Sequence, residues 1–151
     1  MKTRVLKTAV GLAAVLGGLL IASPAQATDG PVGARVYTSG SSGSGGAVSA
    51  DIDFLGRTGQ TSIFSDFTVR DVCPGDNLPV RAYIKLVGPN GEVGTHYVGS
   101  DTNGCGSDGT NFGNIQVNGL SSVAKAGVRV CVYNSTGNLR CAESFRDNPY
   151  T

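Results

Sequence analysis

The segment Arg129-Val130-Cys131-Val132-Tyr133-Asn134-Ser135-Thr136-Gly137-Asn138-Leu139-Arg140-Cys141-Ala142-Glu143 spells out a β-hairpin. Turn-forming residues fill Asn134 to Asn138, with alternating apolar and polar residues on both sides. If Tyr133 pairs with Leu139 across that turn, Cys131 stands opposite Cys141 and Arg129 opposite Glu143. A bridgeable cysteine pair and an opposite-charge pair are independent matches to one register. The segment therefore predicts two antiparallel strands stapled by Cys131–Cys141.

Cys73 and Cys105 are left to tie two loops together. Four cysteines allow three connectivities, and the sequence alone leaves the other two open. In the chain-entropy account the short bridge contributes roughly 3 kcal/mol and the long one roughly 4 kcal/mol. Against a domain stability of about 5–15 kcal/mol these are large shares.

Outward from this hairpin the same alternation recurs, with turn residues every eight to twelve positions or so. Strands are expected at about 34–38, 47–55, 61–71, 79–87, 92–99, 112–118, 127–133 and 138–145. Only Ser121 to Ala126 could hold a helical turn. The expected fold is all-β: an antiparallel β-sandwich, immunoglobulin-like or Greek-key, of seven to eight strands with two disulfides. The Gly/Ser stretch 39–46 is expected to be a flexible loop.

Two further hairpins can be registered by counting. With Gly56-Arg57-Thr58-Gly59 as the turn, Ile52 pairs with Ile63 and Val48 with Phe67. Val48, Ala50, Ile52 and Phe54 then face the core with Ile63, Phe67 and Val69, while Leu55 and Phe64 point outward. With Gly88-Pro89-Asn90-Gly91 as the second turn, Leu86 meets Val93 and Ala82 meets Tyr97, all four buried.

The first 27 residues read as a secretory signal peptide. Lys2, Arg4 and Lys7 precede an apolar run from Ala9 to Ile21, and Ala25-Gln26-Ala27 offers a small-x-small cleavage site. That run of 13 residues is shorter than the roughly 20 a membrane-spanning helix needs. No cysteine follows the cleavage site to carry a lipid, and no second apolar span precedes Thr151. Residues 28–151 are then expected to form one extracellular, monomeric domain with no membrane contact after cleavage. The oxidising exterior makes disulfides the natural state of the cysteines. The short alanine-rich signal and abundant glycine point to a bacterial source, where the sequon Asn134-Ser135-Thr136 carries no glycan.

Export also changes the charge. Three of the twelve basic residues leave with the signal, so nine Lys/Arg face eleven Asp/Glu, a net of −2. An overall basic field for nucleic acid is excluded. The absence of tryptophan lowers the case for aromatic sugar platforms, although five tyrosines remain.

Few residues carry recognisable chemistry. Gly104-Cys105-Gly106-Ser107-Asp108-Gly109 matches the dinucleotide fingerprint by letter, but it lacks the preceding strand and following helix that the chemistry needs. Asp101, Asn103 and Asp108 are the weak candidates for a calcium site, with a solvated turn as the plainer reading. His96 is the only histidine, and no nucleophile elbow or zinc spacing accompanies it. Opposite Tyr83 and beside Arg81 and Lys85, His96 would complete a small cationic-aromatic patch for an acidic or sugar-like partner. Asp51, Asp53 and Asp66 share an outward face and could serve a hydrolase, although such acids more often keep a strand face soluble.

In length, export signal and disulfide count the chain resembles small secreted bacterial β-sandwich proteins. Among these are the apoproteins that carry enediyne chromophores on an immunoglobulin-like sandwich with two disulfides. Small secreted protease inhibitors share the same plan. The resemblance implies the fold and carries over no functional residues.

The resulting expectation is a secreted, non-enzymatic binding protein without a cofactor. Its partner would be a protein, a cell-wall glycan or a small ligand. The loops Cys73–Pro79 and Asp101–Asn111, joined by the second bridge, are candidate contact regions. The alternatives are an extracellular hydrolase using Asp51, Asp53, Asp66 or His96, and a protease inhibitor presenting Cys73-Pro74-Gly75-Asp76.

Overall fold

The computed structural model describes residues 29–55, 60–74, 78–101, 104–106, 108–119 and 122–151. The expected export segment 1–27, the expected turn 56–59 and Gly75-Asp76 of the inhibitor reading lie outside the described residues. Strands follow in the order β1 (Gly30–Tyr37), β2 (Gly45–Leu55), β3 (Thr61–Val72), β4 (Val80–Val87) and β5 (Val93–Asp101). After them come β6 (Thr110–Asn111), β7 (Ile115–Asn118), β8 (Lys125–Tyr133) and β9 (Leu139–Asp147). No helix occurs among the described residues. Of the expected helical turn, Ser121 lies outside the described residues, while Lys125 and Ala126 already belong to β8.

The strands form two antiparallel sheets. One has the order β1-β2-β3, with β6 and β7 both pairing with β3; the other has the order β5-β4-β8-β9. Their apolar faces meet in one core, with Val48, Ala50, Ile52, Phe54, Phe67 and Val69 facing Ala82, Ile84, Leu86, Val128 and Val130. Burying each of the larger side chains contributes roughly 1.5–3 kcal/mol. The sandwich is thus as expected, with nine strands among the described residues in place of seven or eight. The extra strand is β6, which lies ahead of the expected 112–118 segment; of that segment Ile115–Asn118 forms β7. Gly113 takes φ 70° and donates its N–H to Asn111 Oδ1 at 2.6 Å, turning the chain between β6 and β7.

The β8–β9 hairpin forms in the expected register. Tyr133 pairs with Leu139, Cys131 with Cys141 and Arg129 with Glu143. Asn134 Oδ1 organises the turn by accepting the Thr136 N–H at 3.1 Å and the Asn138 N–H at 2.7 Å. Both expected disulfides are present, Cys131–Cys141 and Cys73–Cys105, with Cα separations of 4.2 and 4.9 Å.

The other two hairpins are each one residue longer than counting gives, and a one-residue slip exchanges the faces of a strand. In the first, Leu55 pairs with Thr61, so Ile52 meets Phe64 rather than Ile63. Phe64 is therefore fully buried, against expectation, and Ile63 is half-buried on the outer face. A bulge then restores the phase. Asp66 adopts φ 52°, and the register shifts between Ser49 and Asp51, so that Phe67 and Val69 face inward. Val48 accordingly pairs with Val69, not with Phe67.

In the second, Glu92 belongs to the turn. Its carboxylate accepts the Asn90 N–H at 3.2 Å and Asn90 Nδ2 at 3.1 Å, and Gly88 N–H donates to the Glu92 carbonyl at 2.8 Å. Val87 therefore pairs with Val93, and Leu86 with Gly94. Val93 and Tyr97, expected inside, are 57% and 52% exposed.

The Gly/Ser stretch is shorter than expected, because Gly45 and Gly46 belong to β2. A Cβ on Gly46 would lie 2.4 Å from Val80 Cγ1, so glycine is what lets the two sheets approach there. The remaining loop is closed by Thr38 N–H donating to Ser44 O at 2.9 Å and pinned by the Ser44 hydroxyl bonded to Pro74 O.

The two long sides of the sandwich differ. At the β1–β9 side, Arg146 donates to Pro31 O at 2.6 Å and Asp29 O at 3.1 Å, and Arg140 to Thr38 O at 3.3 Å. At the other side, β5 is an edge strand tied to the second sheet at its end, through Asp101, with no such strap along Val93–Tyr97 among the described residues.

Candidate functional site

Because Ala82, Ile84 and Leu86 point into the core, the alternate residues Arg81, Tyr83 and Lys85 must point out. Pairing then assembles a row across the sheet: Tyr97 on β5, Tyr83 on β4, Arg129 on β8 and Glu143 on β9. The Tyr83 and Tyr97 rings lie 5.3 Å apart, tilted by 58°. Next to them the Arg81 guanidinium sits 5.2 Å from the centre of the Tyr133 ring and donates to its hydroxyl at 3.1 Å. Tyr97 Oη and Ser100 Oγ share a 3.0 Å hydrogen bond. Pro79, Arg81, Tyr83, Tyr97 and Ser100 line an open groove of about 520 Å³.

The electrostatics of this face are uneven. Lys85 Nζ and Arg129 Nη1 approach the same Glu143 oxygen, at 3.8 and 3.5 Å. Arg81 forms no ion pair among the described residues. Glu143 thus pairs with two cations, the buried Lys85 and the half-buried Arg129, and Arg81 faces no carboxylate among the described residues, while residues 28–151 carry a net −2. Arg129 Nε is buried with no hydrogen-bond partner among the described residues. The Cys131–Cys141 bridge lies in the same outward rows, where Arg129 Nη2 reaches Cys141 Sγ at 3.2 Å. The disulfide thus braces the floor of the face besides stabilising the domain.

Of the four residues expected to form the patch, three share this face. His96 does not: it pairs with Ile84, which sends its side chain to the inner side of β5, exposed at the open edge. Tyr97 stands opposite Tyr83 in its place. Sequence reasoning missed Tyr97, Arg129 and Tyr133 as members. Arg129 had been located by its own hairpin, but the β4–β8 pairing that brings it beside Tyr83 spans a long stretch of chain with no local signal.

The other candidates fall elsewhere. Asp51 and Asp53 lie on the outer face of the five-stranded sheet, opposite Ser65 and Ile63, and Asp66 sits at the bulge. None of these three acids lines the clefts beside Arg70, Leu86, Arg146 or Tyr97. Asp101 is fully buried and turned to structural work. Its Oδ2 accepts the Asp71 N–H at 2.9 Å and its Oδ1 the Thr110 hydroxyl at 3.0 Å. Asn103 lies outside the described residues, and Asp108 lines a separate cleft with Thr68 and Arg70. Among the described residues no three His, Cys, Asp or Glu side chains are grouped to hold a metal ion. Gly104, Cys105 and Gly106 of the fingerprint-like loop are held by the Cys73–Cys105 bridge.

Asp101 ties the end of β5 to β3 and β6, so Asp101→Ala is expected to lower stability by about 1–3 kcal/mol, the cost of leaving buried donors unsatisfied. Urea unfolding measures this; an unchanged midpoint would show that the carboxylate does not hold the strands.

Comparison with known proteins gives no kinship: no protein-family model, curated protein or solved structure matches the chain.

Proposed function

We propose that this chain is an exported, non-enzymatic binding protein that docks an acidic protein partner on the outer face of β5-β4-β8-β9. The observation that carries this reading is the surplus positive charge of Arg81, Lys85 and Arg129 over Glu143, set among Tyr83, Tyr97 and Tyr133. Tyrosine and arginine on a rigid frame suit recognition, since they offer broad contact area at small entropic cost. Two disulfides fit an extracellular setting. No helix among the described residues is long and apolar enough to cross a membrane.

The test uses a poly-glutamate resin. The domain is expected to be retained at low ionic strength and released by salt as charges are screened within about 10 Å. Arg81→Glu, which reverses the cation without an ion pair, is expected to weaken retention by about tenfold, since charges at such a face act chiefly through complementarity. Elution of Arg81→Glu at the same salt as the unaltered domain would reject this face. Retention on polygalacturonate but not on poly-glutamate would redirect the reading to an acidic glycan.

A further inference from the structure

The two edges of the four-stranded sheet are guarded unequally. The β9 edge is strapped to β1 by Arg140 and Arg146, and it carries Glu143 and Asp147 as well. The β5 edge has such devices only toward its end, in the Asp101 tie to β3 and β6 and the bulge between Tyr97 and Gly99. From Val93 to Ser100 it contains no Lys, Arg, Asp, Glu or Pro, the residues that usually protect an exposed edge. The Gly88 N–H to Glu92 C=O bond sets the phase of the ladder. By that phase Val93, Thr95 and Tyr97 direct their N–H and C=O groups away from β4. Among the described residues no strand pairs with those groups.

Beside this edge the two sheets part to leave a cleft of about 210 Å³. Ile84 and Leu86 form its apolar floor and Val117 of β7 its far wall, with Thr95, His96 and Asn118 near the mouth. It stays open because Gly94, opposite Leu86, has no side chain; a Cβ there would find Leu86 Cβ at an ordinary 3.8 Å.

We infer that β5 accepts an added strand: an extended segment of a partner protein pairs along Val93–Tyr97 and inserts an apolar side chain into the cleft. In such pairing the main chain supplies hydrogen bonds and alternate side chains supply selectivity. The strand period of two sends every second residue of the segment toward the cleft and the others to the outer face, beside Tyr97 and the groove that Arg81 lines. Those outer residues are acidic, a point that rests on the reading of the cationic face given above. A glycan offers no ladder of N–H and C=O groups. A second copy of this chain is a poorer occupant: pairing β5 with β5 would set two cationic faces side by side on one sheet. It would also offer the His96 ring where Ile84, Leu86 and Val117 favour an aliphatic group.

The test is fluorescence anisotropy with three labelled peptides of about seven residues, long enough to cover Val93–Tyr97. The first alternates glutamate and valine, the second serine and valine, and the third is the first N-methylated on alternate residues. The glutamate–valine peptide is expected to bind the unaltered domain, and the N-methylated one, unable to pair, is not. Thr95→Pro removes an edge N–H that β4 does not use, and Gly94→Val fills the cleft. Each is expected to weaken binding by about tenfold or more while the melting temperature stays near that of the unaltered domain. Thr95 and Tyr97 amides should exchange more slowly once the peptide is bound. Equal binding of the serine–valine peptide supports the added strand and overturns its acidic character alone, so the two readings fail separately. Undiminished binding of the N-methylated peptide, unchanged affinity in Gly94→Val, or no binding of any peptide overturns the inference. So does a domain that sediments as a dimer and becomes monomeric on Thr95→Pro, which would give the edge to a second copy.

Discussion

Replacing Phe64 by alanine is expected to destabilise the domain by about 3–5 kcal/mol, the usual cost of truncating a buried phenylalanine. Phe64 is fully buried and meets Phe67 edge-on, with ring centres 6.3 Å apart. Its neighbour Ile63, half-buried on the outer face, is expected to cost about 1 kcal/mol on the same truncation. The two substitutions form an internal control, because simple counting across the 56–59 turn assigns the faces the other way round. Urea denaturation of both variants reads the difference directly. A larger loss for Ile63→Ala than for Phe64→Ala would reverse the register of the β2–β3 hairpin.

Removing the Cys73–Cys105 bridge by a double alanine substitution is expected to cost roughly 4 kcal/mol, against roughly 3 kcal/mol for Cys131–Cys141, on the chain-entropy scaling with loop length. The cysteines are 32 residues apart in the first case and 10 in the second. The bridges also differ in what surrounds them. Cys131 and Cys141 face each other inside a ladder that would hold its register without the bond. Cys73 and Cys105 join two loop segments beyond the ends of β3 and β5. Thermal melts of the two double variants test the order. A smaller loss for the longer loop would mean that the Cys73 and Cys105 segments hold together by other contacts.

The contrast between hairpins shows which parts of this fold are written locally. Between β8 and β9, Cys131, Cys141, Arg129 and Glu143 constrain one register from both sides of the turn, and the structure keeps it. The first two hairpins rest on turn composition alone, which marks where a chain reverses but leaves the loop length open by a residue. Glu92 illustrates the reason: its carboxylate caps Asn90, so a residue that reads as the first of a strand completes the turn instead. The bulge at Asp66 is harder still. A non-glycine residue at φ 52° has no compositional mark, yet without it Phe64 and Phe67, three apart, could not both face the core.

The candidate face was legible in part for the same reason. Arg81, Tyr83 and Lys85 follow from the alternation of a single strand. Tyr97 and His96 exchanged places with the extra turn residue, and Tyr133 joins Arg81 only through β4–β8 pairing, which no short-range pattern encodes.

The unequal guarding of β9 and β5 has a further consequence for how such a chain behaves when crowded. A β-structure that elongates into a fibre must recruit at one edge and offer a fresh edge at the other. Here the far edge is already spoken for by the Arg140 and Arg146 straps to β1. Any self-recruitment of this sheet through β5 would therefore terminate at a pair, with the straps acting as a chain stopper built into the monomer.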